Sequence, residues 1–365
     1  MNVLELKRWL RIGLCVLTSA FAASSSVADI QAIARADQQQ DDRCSAVSFI
    51  ACKEFLRLGR GVNFGMAING LNLGKGISSE EWRALEDARD RFDSFRLLLS
   101  WPDFASPDRG GDIDEKFAQQ VDELIRFMTA KNGRVIVAMH RYNQLTGDRL
   151  REYQVKVDDS VMEERFVNIW KQIARRYARR YEGLIFELYN EPHGRLTPDL
   201  WNALTSRTLD SIREFDATRI VVIDAPFWAN ASHLKVLRLP HDKNIFVSVH
   251  AYFPFEFTHQ GADWGSPRYP VGVTCCSDIQ RAKIRDNLRM AAEWSQSTGF
   301  PIYVGEFGST ERADNLSRAE FIAASRIVIE GFGMSWAYWE MGPGFSIYSI
   351  KDGKWNMALL DALLK

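Results

Sequence analysis

Histidine is scarce in this sequence, which has only six among 365 residues, and no two have the HxH or HExxH spacing of hydrolytic metal sites. That scarcity argues against a metal-dependent hydrolase, and we expect neither a metal nor an organic cofactor. An excess of one charge is also missing, because 46 Lys and Arg face 47 Asp and Glu. Without a broad basic field, binding to nucleic acid is not expected. The sequence has instead 46% hydrophobic residues, enough for a large globular core.

The apolar stretch near the N-terminus covers only residues 12–23, which is short of the roughly 20 residues that span a bilayer. It follows three basic residues and leads to the small residues Ser26-Val27-Ala28. This layout is typical of a secretory signal peptide over residues 1–28. We therefore expect an exported protein, periplasmic or extracellular, with no membrane attachment after cleavage.

Cysteine is sparse as well, and four remain once residues 1–28 are removed: Cys44, Cys52, Cys275 and Cys276. In an oxidising compartment four cysteines allow three pairings, and the sequence does not choose among them. Two disulfides are expected, with some free thiols as the alternative. Residues 29–58 are polar and then mixed in character, which indicates a leader segment with a short helix that caps the domain.

From residue 59 onward, short β-rich runs alternate with segments of helical period. The strands are predicted at 61–66, 94–100, 134–140, 184–190, 219–225, 245–252, 301–307 and 333–340. The helices are predicted at 79–90, 114–131, 161–180, 197–213, 230–236, 279–298, 316–330 and 354–363. Eight such units indicate a (β/α)8 barrel of the α/β class, formed as a single domain by residues 59–365. An open doubly wound sheet is the alternative, but the first strand leads into no GxGxxG turn.

Polar and aromatic side chains gather at the carboxyl ends of the predicted strands, where barrels of this kind build their sites. They are Asn63, Arg96, His140, Asn190, Glu191, His250, Tyr252, Glu306 and Trp339. Each one has a structural alternative, since a histidine at a strand end is often a satisfied core group. Together they predict one site at the mouth of the barrel.

Two of these residues, Glu191 and Glu306, have the character of a catalytic pair. Two glutamates about 5 Å apart can hydrolyse a glycosidic bond with retention, one as an ionised nucleophile and the other as a proton donor. Arg96 and Tyr252 are available to keep one glutamate ionised. We therefore expect Glu306 to attack and Glu191 to donate the proton.

The motifs around these residues are LYNEPHG at 188–194, VSVHAY at 247–252, YVGEFG at 303–308 and SWAYWE at 335–340, with FRLLLSW at 95–101 and VAMH at 137–140. In their order and placement they resemble glycoside hydrolase family 5 of clan A, the cellulase or endoglucanase type, over roughly residues 60–363. The resemblance implies a TIM barrel with Glu191 as acid/base and Glu306 as nucleophile.

The resemblance also implies roles for the neighbours of the two glutamates. Arg96 and Tyr252 match the partners of the nucleophile, and Asn190 matches the residue that binds the sugar 2-hydroxyl. His140 and His250 match histidines that position the sugar and the acid/base, while Trp339 matches the platform beneath the cleaved sugar. Two other glutamates, Glu187 and Glu340, are expected to be structural.

Two positions depart from the family pattern and bear on the substrate. Met66 stands in Gly65-Met66-Ala67, where relatives often have Gly-Asn-Ala, and Arg141 follows His140, where relatives often have a second histidine. The long loop after strand six carries His259, Gln260 and Trp264, which either wall the cleft or only order the loop. Among the other tryptophans, Trp101 and Trp228 are candidates for sugar contacts, whereas Trp170 is expected to pack in the core.

The sequence thus predicts a secreted retaining endo-β-glycanase that acts on β-1,4-glucan, cellulosic or mixed-linkage, as a monomer. A β-mannanase, a xyloglucanase or an exopolysaccharide hydrolase of the same clan is the alternative. A non-catalytic polysaccharide-binding barrel is an alternative of another class.

Overall fold

A computed structural model describes residues 42–265 and 267–365. The predicted signal peptide and the first part of the predicted leader lie outside these residues. Eight parallel strands close into a barrel in sequential order, with β1 paired to both β2 and β8. They are β1 (Arg60–Phe64), β2 (Ser94–Leu99), β3 (Arg134–Met139), β4 (Leu184–Glu187), β5 (Val221–Asp224), β6 (Ile245–His250), β7 (Ile302–Phe307) and β8 (Ser335–Tyr338). The predicted (β/α)8 barrel is confirmed.

Helices cover the outside of the barrel. The longer ones are α1 (Phe49–Leu58), α2 (Ser79–Arg89), α3 (Glu115–Thr129), α4 (Met162–Tyr177), α5 (Pro198–Arg213), α6 (Asp278–Thr298), α7 (Asn315–Gly331) and α8 (Met357–Leu364). Four-residue helices lie at Asn69–Asn72, Asn143–Thr146, Pro226–Ala229 and Phe255–Thr258, and 3-10 turns lie at Asp42–Cys44, Met66–Ile68, Trp101–Phe104, Ala130–Asn132, Asp159–Val161 and Ala231–Val236. A short antiparallel hairpin, β9 (Tyr348–Ser349) and β10 (Lys354–Trp355), precedes α8.

The predicted boundaries differ from the observed ones where polar residues end an element. Strand four was predicted to reach residue 190, but β4 ends at Glu187, and the chain then turns through Asn190 and Glu191. The helix predicted at 230–236 is a 3-10 helix, Ala231–Val236, a form that is common in short connecting segments of this length. Both differences fall at the end of the barrel that carries the candidate site.

Helix α1 closes the opposite end of the barrel. Its Phe55 packs edge-on against Phe246, with ring centroids 5.3 Å apart, and its backbone oxygen accepts a hydrogen bond from Ser335. Glu54 forms a buried ion pair with Arg134 at 2.9 Å. Because this end is plugged, the barrel opens to solvent at the carboxyl ends of its strands.

Two disulfides resolve the cysteine pairing that the sequence leaves open. Cys44 bonds to Cys52 at the start of α1, and Cys275 bonds to Cys276 in the loop before α6. Across 42–265 and 267–365, none of the helices is long and apolar enough to cross a bilayer.

Candidate active site

A cleft of about 670 Å³ lies over the carboxyl ends of the strands. Ten of the residues that the sequence indicates as candidates line it: His140, Asn190, Glu191, Trp228, His250, Tyr252, His259, Trp264, Glu306 and Trp339. Arg96 and Asn63 are buried beneath it. A larger groove of about 1160 Å³, between the start of α2 and the β9–β10 hairpin, contains neither Glu191 nor Glu306.

Glu306, on β7, has both carboxylate oxygens held by hydrogen bonds. Arg96 Nη1 donates to Oε1 at 2.8 Å, and the Tyr252 hydroxyl donates to Oε2 at 2.7 Å. The carboxylate is 4% exposed, so it is fixed in a nearly dry setting at the floor of the cleft. These two contacts are the ones that the sequence predicts for a nucleophile.

Arg96 anchors the floor of the site from β2. It forms a bidentate pair with Glu187, from Nε to Oε2 at 2.7 Å and from Nη2 to Oε1 at 2.5 Å. Its remaining N–H groups donate to Glu306, Asn63 and Asn190. All five guanidinium donors are therefore used, and Glu187 is the structural residue that the sequence predicts.

Asn63 was expected to face the mouth of the barrel, and that expectation is wrong. Its amide nitrogen donates to the backbone oxygens of Gly305, Ala337 and Tyr338, and its side-chain oxygen accepts from Arg96. Alternation along β1 places this side chain inside the barrel, below the cleft, so Asn63 holds Arg96 and does not contact a ligand there.

Glu191 lies just past β4 with a left-handed backbone, φ 56°, which is uncommon for a residue with a side chain. Its Oε1 lies 2.8 Å from His250 Nδ1, and a quarter of its side chain is exposed to the cleft. One oxygen of Glu191, one of Glu306 and a nitrogen of His250 lie within 4.8 Å of one another. The two carboxylates therefore face each other at the short separation that retaining glycosidases require.

The surroundings affect the two carboxylates differently. Burial raises the pKa of Glu191 to about 7, and no arginine or phenol contacts its carboxylate among the described residues. Burial also raises the pKa of Glu306, opposed by Arg96 and the Tyr252 hydroxyl. We expected these two partners to hold Glu306 ionised; they oppose the rise, but loss of solvation outweighs them because the group is almost wholly buried.

The two site histidines are neutral at neutral pH, because burial lowers their pKa. The pKa of His250 falls to about 4, and that of His140 lies well below its ordinary value. At Nδ1, a neutral His250 can accept a hydrogen bond from protonated Glu191 or donate one to its carboxylate, depending on the tautomer. Arg96 already places a positive charge against Glu306, so the cluster is suited to moving protons more than to holding a cation.

Asp224 belongs to the site although the sequence analysis missed it. Its Oδ2 accepts the backbone N–H of Glu191 at 3.0 Å and lies 3.8 Å from His250 Nε2. It is fully buried, and burial raises its pKa well above the ordinary value. Asp224 is the last residue of β5, so the rule that places site residues at the carboxyl ends of the strands applies to it as well.

Glu340 braces the loop after β1, as the sequence predicts. Its Oε2 accepts the backbone N–H groups of Gly65 and Met66 at 2.9 and 2.8 Å. Burial raises the pKa of Glu340 to about 8. The Trp339 indole beside it leaves no room for a side chain on Gly65, where a Cβ would lie 2.8 Å from the ring. Trp339 therefore lines the cleft with its ring packed closely against the backbone of Gly65.

Aromatic side chains form the walls of the cleft. Trp228 is 54% exposed and stacks on His193, and Trp264 is 70% exposed with His259 and Phe345 beside it. Flat exposed rings of this kind complement the C–H faces of sugars.

Two of the expected wall residues lie elsewhere. Trp101 is fully buried against Phe117, because it starts a 3-10 turn that folds back on α3. Gln260 is also fully buried and ties its own loop through the backbone of Phe257, Gly272 and Val273. Trp170 packs in the core, as expected.

Comparison with known proteins agrees with this geometry. The family model described as Cellulase (glycosyl hydrolase family 5) matches residues 63–344. Endoglucanase H of Acetivibrio thermocellus is 26% identical over 318 residues, covering 84% of this chain; the chain spans about a third of that relative, 33%.

Solved structures are also similar over most of the chain. One described as an endoglucanase is 35% identical with a TM-score of 0.78, over 86% of this chain and 99% of its own. Cel5A of Thermotoga maritima, solved with mannotriose, is 33% identical with a TM-score of 0.78, over 85% and 99%. A structure of the same enzyme with cellobiose is 34% identical with a TM-score of 0.77, over the same shares. By its sequence match and its barrel, this chain belongs to the cellulase family of glycosyl hydrolases, family 5.

Proposed function

We propose that this protein is an endo-β-1,4-glucanase that cleaves its substrate with retention of configuration. The observation that carries the proposal is the pair of facing carboxylates, Glu191 and Glu306, whose nearest oxygens lie within 4.8 Å of each other in a sugar-sized cleft. The unequal contacts of the pair support the proposed roles. Arg96 and Tyr252 donate hydrogen bonds to the Glu306 carboxylate, whereas the Glu191 carboxylate is partly exposed and, among the described residues, is hydrogen-bonded to His250 alone.

In the first step, an oxygen of Glu306 attacks the anomeric carbon, and the bond from that carbon to the leaving oxygen breaks. Glu191 gives its proton to that oxygen, so the leaving sugar departs as an alcohol. The pKa of about 7 keeps much of Glu191 protonated for this task at neutral pH. Arg96 and Tyr252 keep the attacking oxygen directed toward the cleft.

In the second step, Glu191 is ionised and removes a proton from water. The oxygen of that water forms a bond to the anomeric carbon, and the ester bond to Glu306 breaks. Two inversions give a product with the original β-configuration. His250, 2.8 Å from Glu191, holds the carboxylate in place for both proton transfers.

The substrate that we propose is a β-1,4-linked glucan, cellulosic or mixed-linkage, which exposed Trp228 and Trp264 would contact. The related Thermotoga maritima Cel5A has been solved with cellobiose and with mannotriose, so hydrolysis of mannan is the second candidate. Glucose and mannose differ only in the configuration at C2, whose hydroxyl is the group that the family resemblance assigns to Asn190. Hydrolysis of xyloglucan or an exopolysaccharide is a wider alternative.

A panel of polysaccharides tests this proposal. Purified protein is assayed for reducing ends released from carboxymethylcellulose, barley β-glucan, xyloglucan, laminarin and mannan, with Glu306→Gln as the control. Release from the cellulosic substrates that the variant abolishes supports the glucanase. Release from mannan alone would leave the proposed mechanism in place and identify mannan, not glucan, as the substrate. Binding of these chains without any hydrolysis would favour a non-catalytic barrel.

Export is a separate part of the proposal. The basic and apolar segments within residues 1–28 support secretion to the periplasm or the medium. Fractionation of the producing cells, with the N-terminus of the mature chain determined, tests it. A chain recovered in the cytoplasm with residue 1 intact would contradict it. We further propose that the protein acts as a monomer, which light scattering of the purified protein tests.

A further inference from the structure

Two arginines next to the cleft share one tyrosine hydroxyl. Arg141 Nη1 lies 3.5 Å from the Tyr153 hydroxyl, and Arg151 Nη1 lies 3.2 Å from the same oxygen. Tyr153 is 43% exposed and Arg151 is exposed, while Arg141 is half-buried. The fold therefore holds two positive charges close together at an accessible place.

No acid contacts these two charges directly. Within the described part of the chain, neither Arg141 nor Arg151 lies within 4.0 Å of a carboxylate oxygen, whereas buried Arg96 contacts two carboxylates. Asp103 and Glu340 act on Arg141 from a greater distance. Burial raises the pKa of Asp103 to about 6 and that of Glu340 to about 8, so both are weak counter-charges.

The cluster adjoins the catalytic cleft. Arg141 directly follows His140, a residue of the cleft wall, and has a left-handed backbone with φ 67°. Both Arg141 and Arg151 help to depress the pKa of His140, after the larger effect of burial, so their charges act at the cleft. A strained backbone at such a place is typical of functional positions.

The cluster also joins the two departures from the family pattern. Arg141 Nη2 lies 3.9 Å from the sulfur of Met66. The sequence shows these residues 75 positions apart, and the structure brings them into one contact beside the loop that Glu340 braces. They form a single local feature.

We propose that Arg141, Arg151 and Tyr153 form a recognition site for a carboxylate carried by the β-glucan substrate. This inference rests on the proposed glycanase function and names its preferred substrate class, an acidic β-glucan. The planar guanidinium fork matches a carboxylate in geometry, and the Tyr153 hydroxyl supplies a third donor. The hydroxyl groups of an unsubstituted glucan can be bound without a positive charge. Recognition of a neutral chain would therefore not explain why Arg141 and Arg151 lie together beside the cleft.

The test compares kcat/KM for carboxymethylcellulose with kcat/KM for hydroxyethylcellulose of similar chain length, which has neutral substituents. In Arg141→Gln and in Arg151→Gln, we expect the value for the acidic substrate to fall about three- to fivefold each. The value for the neutral substrate should stay within about twofold. Arg126→Gln, which removes an exposed arginine of α3 outside the cleft, is the matched control.

Salt gives a second readout that requires no substitution of the half-buried Arg141. Raising the ionic strength to about 0.5 M screens exposed charges. The ratio of kcat/KM for the acidic substrate to kcat/KM for the neutral substrate should therefore fall for the wild type, and it should change less for Arg151→Gln. Equal losses on both substrates, or an unchanged ratio with unchanged salt dependence, would overturn the inference. Absence of hydrolysis of both substrates by the wild type would instead overturn the proposed function.

Discussion

The hydroxyl of Tyr252, a residue just beyond the end of β6, lies 2.7 Å from Oε2 of Glu306 on β7. This hydrogen bond is strongest when Glu306 is ionised, because a carboxylate is a better acceptor than a carboxylic acid. It therefore stabilises the form of Glu306 that can attack. Burial of Glu306 favours its protonated form and raises its pKa, whereas the hydrogen bond from Tyr252 lowers the pKa. The fraction of Glu306 that is ionised depends on the balance of these two effects.

Tyr252→Phe removes that hydrogen bond and keeps the ring. A hydrogen bond to a charged group contributes about 1.5–3 kcal/mol, so kcat/KM should fall by roughly 10- to 100-fold. Without the donor the pKa of Glu306 rises further, and the acidic limb of the pH profile should move to higher pH. Tyr303→Phe is the matched control, since the buried hydroxyl of Tyr303 has no hydrogen-bond partner in the described chain. Equal effects of both changes would contradict the assigned role of Tyr252.

The pH profile of kcat/KM should have an alkaline limb at a pKa of about 7. Glu191 must be protonated to release the leaving group, and burial raises its pKa to about 7, so activity is lost as the pH rises through that value. The acidic limb reports Glu306, which must be ionised to attack. Since burial raises the pKa of Glu306 too, the pH range of activity is narrow.

A substrate with a better leaving group gives a second test of Glu191. An aryl glycoside with an acidic leaving group needs less protonation, so Glu191→Gln should lose much less activity on the aryl glycoside than on glucan. An alkaline limb unaffected by Glu191→Gln would exclude Glu191 as the acid.

Asp224 should act as a positioning residue for Glu191. Asp224→Ala leaves the buried N–H of Glu191 without an acceptor, which costs about 1–3 kcal/mol and lets the left-handed turn move. We expect kcat to fall about tenfold or more while KM changes little. Asp224→Asn keeps an acceptor oxygen and should retain more of the activity. If both variants lose the same activity, the backbone contact is not what Asp224 contributes.

The disulfide between Cys44 and Cys52 should stabilise the helix that closes the barrel. Cys52→Ser should lower the free energy of unfolding by about 2 kcal/mol, because the bond closes a loop between residues eight positions apart. Cys276→Ser is the comparison, since adjacent cysteines close almost no loop and should stabilise less by this route. Denaturant unfolding at neutral pH measures both. A larger loss from Cys276→Ser would show that loop closure is not the main effect.

The sequence predicts the barrel and much of the site because both follow local rules. Apolar runs such as RVIVAM on β3 mark the strands, and the carboxyl end of each strand marks the site, which is how Glu191, Glu306 and Tyr252 were found. Asn63 was misplaced by the same rule, because the rule gives the strand but not the depth at which a side chain lies inside the barrel.

Contacts between distant loops could not be predicted in this way. Trp101 was expected in the cleft, but a 3-10 turn directs its ring onto α3, and no pattern in the sequence fixes that turn. The contact between Met66 and Arg141 joins the loops that follow β1 and β3, which are 75 positions apart in the sequence. Such contacts are set by tertiary packing, which periodicity does not encode.

In the proposed mechanism Glu306 forms a covalent bond to the substrate, and chemical trapping can detect that bond. A 2-deoxy-2-fluoro cellobioside with a good leaving group slows both steps and allows the ester to accumulate. We predict that intact mass spectrometry finds one sugar adduct per chain, and that peptide mapping places it on Glu306, with no adduct in Glu306→Gln. An adduct on Glu191 or Glu187, or turnover of glucan with inverted configuration and no adduct, would show that Glu306 is not the nucleophile.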